Sequence, residues 1–229
     1  MTDLKNTVSK TPDQIPSIFI KNTTSSLLEP LTKLFNFSLI ERKVPSIWKE
    51  AYIVPIHKKG LQNEVSNYRP ISLTSVFCRL MEKIIYKKIL DHLFNFNLLS
   101  DSQHGFLRGR STLSQQLEIL NTLTSNLNKK IPTHMIFLDF SKAFDKVSHP
   151  KLIHVLQHYR VDNNVVNWIK SYLSDRVQRT VVDDHLSSAI SVSSGVPQGS
   201  VLGPLFFLMY INDLLVTITN ECDIEVYAF

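Results

Sequence analysis

The period of the apolar positions changes several times along the chain, and each change marks an element. Residues 135–138, Met-Ile-Phe-Leu, form an apolar run without glycine or proline, followed by Asp139, Phe140 and a polar turn. Such a run predicts a buried strand that carries Asp139 at its end. A carboxylate there is costly to bury unless it meets a cation or several donors, and the same Asp is also an ordinary N-cap for a following helix. Asp145 follows six residues on, directly after Phe144.

Upstream, Leu27, Leu31, Leu34 and Phe35 recur at helical spacing, with Ser25 or Ser26 as cap and Pro30 tolerable in an early turn. Pro45 closes that unit. Residues 52–56 read as a strand running into His57, Lys58, Lys59 and Gly60, and a second extended run begins at Arg69-Pro70. Residues 75–94 hold the longest helical pattern, with Val76, Leu80 and Ile84 beside Phe77, Met81 and Ile85. Another helix, from near Ser111, sets Leu113, Leu117, Leu120 and Leu127 roughly on one face. Helices are expected at 151–159 and 165–173, and a hairpin over 176–182 and 186–192 around Asp183-Asp184. The run S-S-G-V-P-Q-G-S-V-L-G-P then marks backbone that bends sharply or approaches something closely. An apolar helix at 205–215 follows, and 221–229 alternate as a final strand. This mixture of helices and strands is α+β, with no internal repeat.

Composition narrows the picture modestly. At 229 residues, 43% hydrophobic and 20% charged, the chain is one large or two small globular domains. Its formal charge of +5 permits an anionic partner without requiring one. The two cysteines, Cys78 and Cys222, are too far apart in sequence to suggest a disulfide framework or zinc site. The helical pair His154 and His158 lacks the Glu and third ligand of a zinc protease motif. No signal peptide is visible at the N-terminus, and the apolar stretch 201–211 is short for a bilayer and interrupted by Gly203 and Pro204. The expectation is an intracellular chain without a membrane segment.

The candidate chemistry is that of phosphate. Lys58, Lys59 and Arg69 gather around a turn as a possible phosphate grip, although an exposed basic loop has the same appearance. Arg108 and Arg110 flank a second glycine-punctuated loop, and Arg79, Lys83, Lys87 and Lys88 make a cationic helix face of the kind that is usually solvated. Neither a G-x-G-x-x-G nor a P-loop is present.

Five segments in order then resemble one family: W-K-E-A-Y-I-V-P-I-H-K-K-G, N-Y-R-P-I-S-L, Q-H-G-F-L-R-G-R-S-T, L-D-F-S-K-A-F-D-K-V-S-H and G-V-P-Q-G-S-V-L-G-P-L-F-F-L-M-Y-I-N-D-L. Together they are similar to the reverse transcriptase domain of non-LTR (LINE-type) retrotransposons, over about residues 16–229. The resemblance implies a right-hand polymerase fold: a polar entry at 1–15, an N-terminal helix and fingers over 16–130, and an incomplete palm at 131–229. Helices would pack on a mainly antiparallel sheet. It implies Asp139 as a catalytic, metal-binding carboxylate and the Phe140 carbonyl as a second metal contact, with Mg2+ as cofactor. Lys58 or Lys59 with Arg69 would grip the incoming triphosphate. Phe144 would exclude a ribose 2′-hydroxyl, and Gln198 and Gly199 would shape the nucleotide pocket. Arg108 and Arg110 would be further nucleic-acid contacts. An RNA template, a DNA primer and deoxynucleotides are the implied partners.

The family's third element, a Tyr- or Phe-Ala-Asp-Asp hairpin, would begin at Phe229, so its aspartates are not in this sequence. No endonuclease domain fits before residue 16. The expectation is therefore a polymerase fragment that is inactive as it stands. Two alternatives remain open: a non-catalytic module that binds RNA or an RNA–DNA duplex, and a remnant without function.

Overall fold

The computed structural model describes residues 4, 11–107, 109–222 and 224–228, with the backbone alone at 220–222. Two helices, α1 (Ser17–Asn22) and α2 (Thr24–Ile40), open the described chain, and a short 3-10 turn at Ser46–Lys49 leads into β1 (Glu50–His57). Strand β2 (Tyr68–Leu73) returns antiparallel, with His57 opposite Tyr68 and Tyr52 opposite Leu73. Helix α3 (Val76–Asn95) starts where the sequence pattern places it, because the Ser75 hydroxyl accepts from the Cys78 amide. Helix α4 (Thr112–Asn128) has a reciprocal cap formed by Ser111 and Ser114. Helix α5 (His149–His158) carries Pro150 in its first turn, and α6 (Asn163–Leu173) is capped by the Asp162 carboxylate. The expected hairpin appears as β3 (Arg176–Val182) with two partners, β4 (His185–Leu186) and β5 (Ile190–Val192), and α7 (Leu202–Cys222) follows.

The sheet order is β2-β1-β3-β4, with β5 also pairing to β3. Three of its pairings are antiparallel, while β1 and β3 run parallel with Glu50 opposite Val177. The result is an α+β fold with a mixed, mostly antiparallel sheet. Its core is helical: Met81 and Leu93 of α3, Leu152 and Leu156 of α5, Trp168 and Ile169 of α6, and Phe206 and Met209 of α7 are buried together.

A polar cluster crosses this core. The Asn212 side chain of α7 donates to the Tyr159 hydroxyl at 2.7 Å and to the Leu98 carbonyl at 3.0 Å. Its oxygen accepts from the Ser100 amide at 2.8 Å. The Tyr159 hydroxyl donates in turn to the Asp213 carboxylate. Burial and that hydrogen bond push the Tyr159 hydroxyl well above its ordinary pKa.

Four expectations need correction. Residues 135–138 are not a buried strand: they are irregular, with Phe137 and Leu138 more than four-fifths exposed at 84% and 82%. A strand is held by its neighbours, and no ladder among the described residues runs beside this segment. Residues 224–228 do not form the expected closing strand either, making a single bridge between Gln103 and Ala228. The leucines of α4 line one face but stay exposed, and no α4 residue is buried. Finally, the apolar stretch at 201–211 is not broken by Gly203 and Pro204. They lie in the first turn of α7, where proline is tolerated, and Leu202–Thr219 is long and apolar enough by composition to cross a membrane. That helix packs here against α3 and α5.

Replacing Asn212 by Ala removes both donors and leaves the Ser100 amide and Leu98 carbonyl without their partner. A loss of about 2–3 kcal/mol is expected in a urea titration.

Candidate functional site

The glycine-rich run that the sequence singled out is the 193–201 connection between β5 and α7, and three fastenings hold it. The first is to the turn after residue 143. The Gly195 amide donates to the Val147 carbonyl at 2.8 Å, and the Val196 amide to the Phe144 carbonyl at 2.9 Å. The His149 ring meets the Gly195 carbonyl at 2.7 Å. Gly195 has φ +82°, and a methyl group there would lie 2.8 Å from the Asp145 backbone, so only glycine fits.

The second fastening is to the sheet, where the Ser72 amide of β2 donates to the Gln198 carbonyl at 2.7 Å. Gly199, at φ +103°, lies over the same stretch of β2. The third comes from below. Glu82, wholly buried in α3, accepts from the Val201 amide at 2.8 Å and the Leu202 amide at 3.1 Å. It thereby supplies the N-terminal cap of α7 and places a carboxylate at the positive end of that helix. Burial pushes the Glu82 carboxyl above its ordinary value, while the two amides and the charge of Arg176 pull it back. Arg176 is itself buried, lying 4.7 Å over the Tyr172 ring and donating to the Tyr172 carbonyl at 3.1 Å.

These fastenings bring together much of what the sequence singled out. Phe144 is half-buried and meets two other motif aromatics, Phe207 at 5.3 Å and Phe106 at 6.1 Å between ring centroids. Phe140 meets Phe207 from the other side at 6.3 Å. Gln198 and Gly199 sit on β2, the strand that carries Arg69. Arg69 pairs with Ile56 across the hairpin, and the Lys58 amide donates to the Asn67 carbonyl, so Lys58 and Arg69 share one end of the β1–β2 hairpin. The side chains of Lys58, Lys59 and Arg69 are exposed and join no ion pair among the described residues. A cavity of about 310 Å³ lies between the sheet and the loop, reached by Asp145, Ser72 and Gln198.

Other predicted residues lie elsewhere. Asp139 is exposed in the irregular segment rather than seated at a strand end. No grouping of three or more His, Cys, Asp and Glu side chains among the described residues is arranged for a metal. The residues present therefore do not by themselves fit a two-metal centre. Arg110 is turned back on its own loop, donating to the carbonyls of Asp101 and Gln103 and to the Asp101 carboxylate. Arg108 falls outside the described residues. Sequence reasoning missed Glu82, Arg176 and His149. Glu82 had a signal, since it interrupts the apolar row of Cys78, Ile85 and Ile89.

Because the folded Glu82 holds its proton to higher pH than the unfolded chain, its contribution is fully present below the ordinary carboxylate pKa. It is lost as pH rises through the raised value. The stability of the native chain relative to Glu82→Gln should therefore decline over that interval in urea titrations at stepped pH. Glu82→Gln keeps an oxygen for the two amides, whereas Glu82→Ala strands them and should cost about 3 kcal/mol.

With this geometry established, the chain's relatives are informative. Residues 56–229 match the reverse transcriptase (RNA-dependent DNA polymerase) family. The chain is 35% identical over 191 residues to the probable RNA-directed DNA polymerase from transposon BS of Drosophila melanogaster, covering 80% of this chain and 20% of that protein. It is 30% identical over 241 residues to the RNA-directed DNA polymerase from mobile element jockey of the same species, covering 100% of this chain and 26% of that protein. To the Pol polyprotein of the type-1 retrotransposable element R2 of Popillia japonica it is 29% identical, covering 80% of this chain and 25% of that one. The chain thus spans about a fifth to a quarter of the length of these relatives. It belongs to the reverse transcriptase family and matches the reverse transcriptase domain of non-LTR retrotransposons.

Proposed function

We propose that this chain forms the part of an RNA-directed DNA polymerase that holds the incoming deoxynucleotide and the base pair it makes with an RNA template. The observation that carries this reading is the double docking of the 195–199 loop, on the Phe144 carbonyl and on the Ser72 amide of β2. That docking fixes Phe144, Gln198 and the strand of Arg69 relative to one another. Backbone at Gly199 can then approach a base pair closely, and the bulk of Phe144 tests the sugar, whose 2′-hydroxyl separates RNA from DNA. Lys58 or Lys59 and Arg69, which join no ion pair among the described residues, meet the triphosphate, with Arg able to bind it bidentately.

Asp139 and the Phe140 carbonyl are the groups this chain would offer a divalent metal, on which reverse transcriptases generally depend. A metal held there would supply charge neutralisation to the transferring phosphoryl group. Asp139 does not make that centre alone, and the positioning roles of the other residues are independent of it. A primer annealed to the RNA template supplies the acceptor strand.

The test is RNA-templated primer extension by the polypeptide that contains this chain. Asp139→Asn should lower the rate by roughly 10²-fold or more. Arg69→Gln should raise the KM for deoxynucleotides about tenfold, and Phe144→Val should let ribonucleotides in. Extension indifferent to all three changes would dismiss the proposed roles.

A further inference from the structure

At the other end of β1 from Lys58, a groove of about 600 Å³ is lined by Arg42, Lys43, Lys49 and Lys170, with Asp175 as the one carboxylate in its wall. Four of the chain's 25 lysines and arginines thus face one carboxylate here. Lys49 immediately precedes β1 and Asp175 immediately precedes β3, and the two strands run parallel, so the groove lies at their shared starting edge. An eight-residue strand separates it from Lys58, roughly 25 Å at the usual rise per residue. The groove is therefore well removed from the Lys58 and Arg69 end of the β1–β2 hairpin.

Its wall is built rather than loose. The Ser38 hydroxyl donates to the Lys43 carbonyl at 2.6 Å and accepts from the buried Trp168 indole at 2.9 Å. The Val44 amide donates to the Ser171 hydroxyl at 3.0 Å, and the Arg42 guanidinium to the Asn164 side chain at 3.0 Å. The turn between α2 and β1 is thus pinned to α6, which places the backbone of Arg42 and Lys43 beside Lys170.

Lys49 gives the groove its direction of preference. Its side chain is only 14% exposed, yet its carboxylate partner, Asp175, is 3.8 Å away and 89% exposed. With so loose a counter-ion, Lys49 gains a closer, charge-assisted partner when an anion enters the groove. Neutral donors stand alongside at Asn167 and Ser171, while the Ser174 hydroxyl donates to the Lys170 carbonyl at 2.8 Å. Several cations gathered beside a hydroxyl and an amide, in a chain of the reverse transcriptase family, suit a polyanion such as a nucleic-acid backbone.

We propose that this groove binds the phosphate backbone of a nucleic-acid strand, as a second contact apart from the triphosphate grip at Lys58 and Arg69. Phosphate contacts of this type position a strand without reading its sequence. The inference rests on the groove's own charge and bracing.

Fluorescence anisotropy over a salt series tests it, with labelled single-stranded RNA, single-stranded DNA of the same sequence and duplex DNA as probes. The variant Arg42→Gln/Lys43→Gln/Lys170→Gln leaves Lys49 and the bonds of Ser38 and Ser171 in place. It should weaken single-strand binding on the order of tenfold and flatten the slope of log affinity against log salt by about 2, three contacts at ~0.7 each. Lys58→Gln/Lys59→Gln/Arg69→Gln is the comparison, and the two losses should add. Lys170→Gln alone, on the exposed face of α6, should flatten the slope by about 0.7 and guards against a misfolded triple variant. A loss confined to RNA names an RNA strand as the occupant. A loss confined to DNA names a DNA strand, and equal losses mean that the backbone alone is recognised. Unchanged affinity and slope in both groove variants would overturn the proposal, as would absence of salt-dependent binding by the unaltered chain. Either result would leave the roles proposed for Phe144 and Arg69 intact, because those are read by primer extension.

Discussion

The arrangement depends on one buried carboxylate. Glu82 lies in the middle of α3 among apolar neighbours, where an unpartnered charge could not be sustained. It is held by the first amides of α7, which would otherwise be orphaned at a buried helix end. Each requirement answers the other. The exchange fixes where α7 begins, and hence where the loop before it must come down. Arg176 and Tyr172, from β3 and α6, close the same pocket of polarity from the sheet side. Three layers of the fold meet at a point that no solvent reaches.

Above that point the candidate site is assembled largely by main chain. Gly195 lets the loop lie directly on the backbone of Phe144 and Asp145, and the Ser72 amide reaches over from the sheet edge to the Gln198 carbonyl. Side chains are then left free for a ligand. Aromatics from three distant motifs, Phe106, Phe144 and Phe207, form the packed wall beside them. A site framed in this way tolerates changes of surface residue but not the addition of one methyl group at Gly195.

Much of this was legible in the sequence, for identifiable reasons. Helices α3, α4 and α6 declare themselves through capping serines or aspartate and through periodic apolar rows, and β1 through its apolar run at 52–56, although it begins two residues earlier. The glycines of the 195–203 run mark close approach, and close approach is what they provide. The segment at 135–138 was misread because an apolar run shows what could be buried, whereas a strand also needs a neighbour to bond with. The leucines of α4 fail in the same way: periodicity identifies a face, not what covers it. Glu82 and Arg176 were overlooked because a charge in an apolar row reads as noise until its partner, more than ninety residues away in the chain, is known.

The parallel pairing of β1 with β3 carries a consequence for how the protein is made. Glu50 and Arg179, joined at 3.2 Å, are 129 positions apart. Closing so long an intervening chain is entropically expensive, and contacts of such separation slow folding. The β1–β2 hairpin and the α5–α6 pair can form from near neighbours, but the centre of the sheet waits for β3. At a synthesis rate of about 5–20 residues per second, that wait lasts roughly ten seconds on the ribosome. Throughout it, the inner edge of β1 has its hydrogen-bonding groups bare, and the nascent chain is then most exposed to mispairing with its neighbours on a polysome.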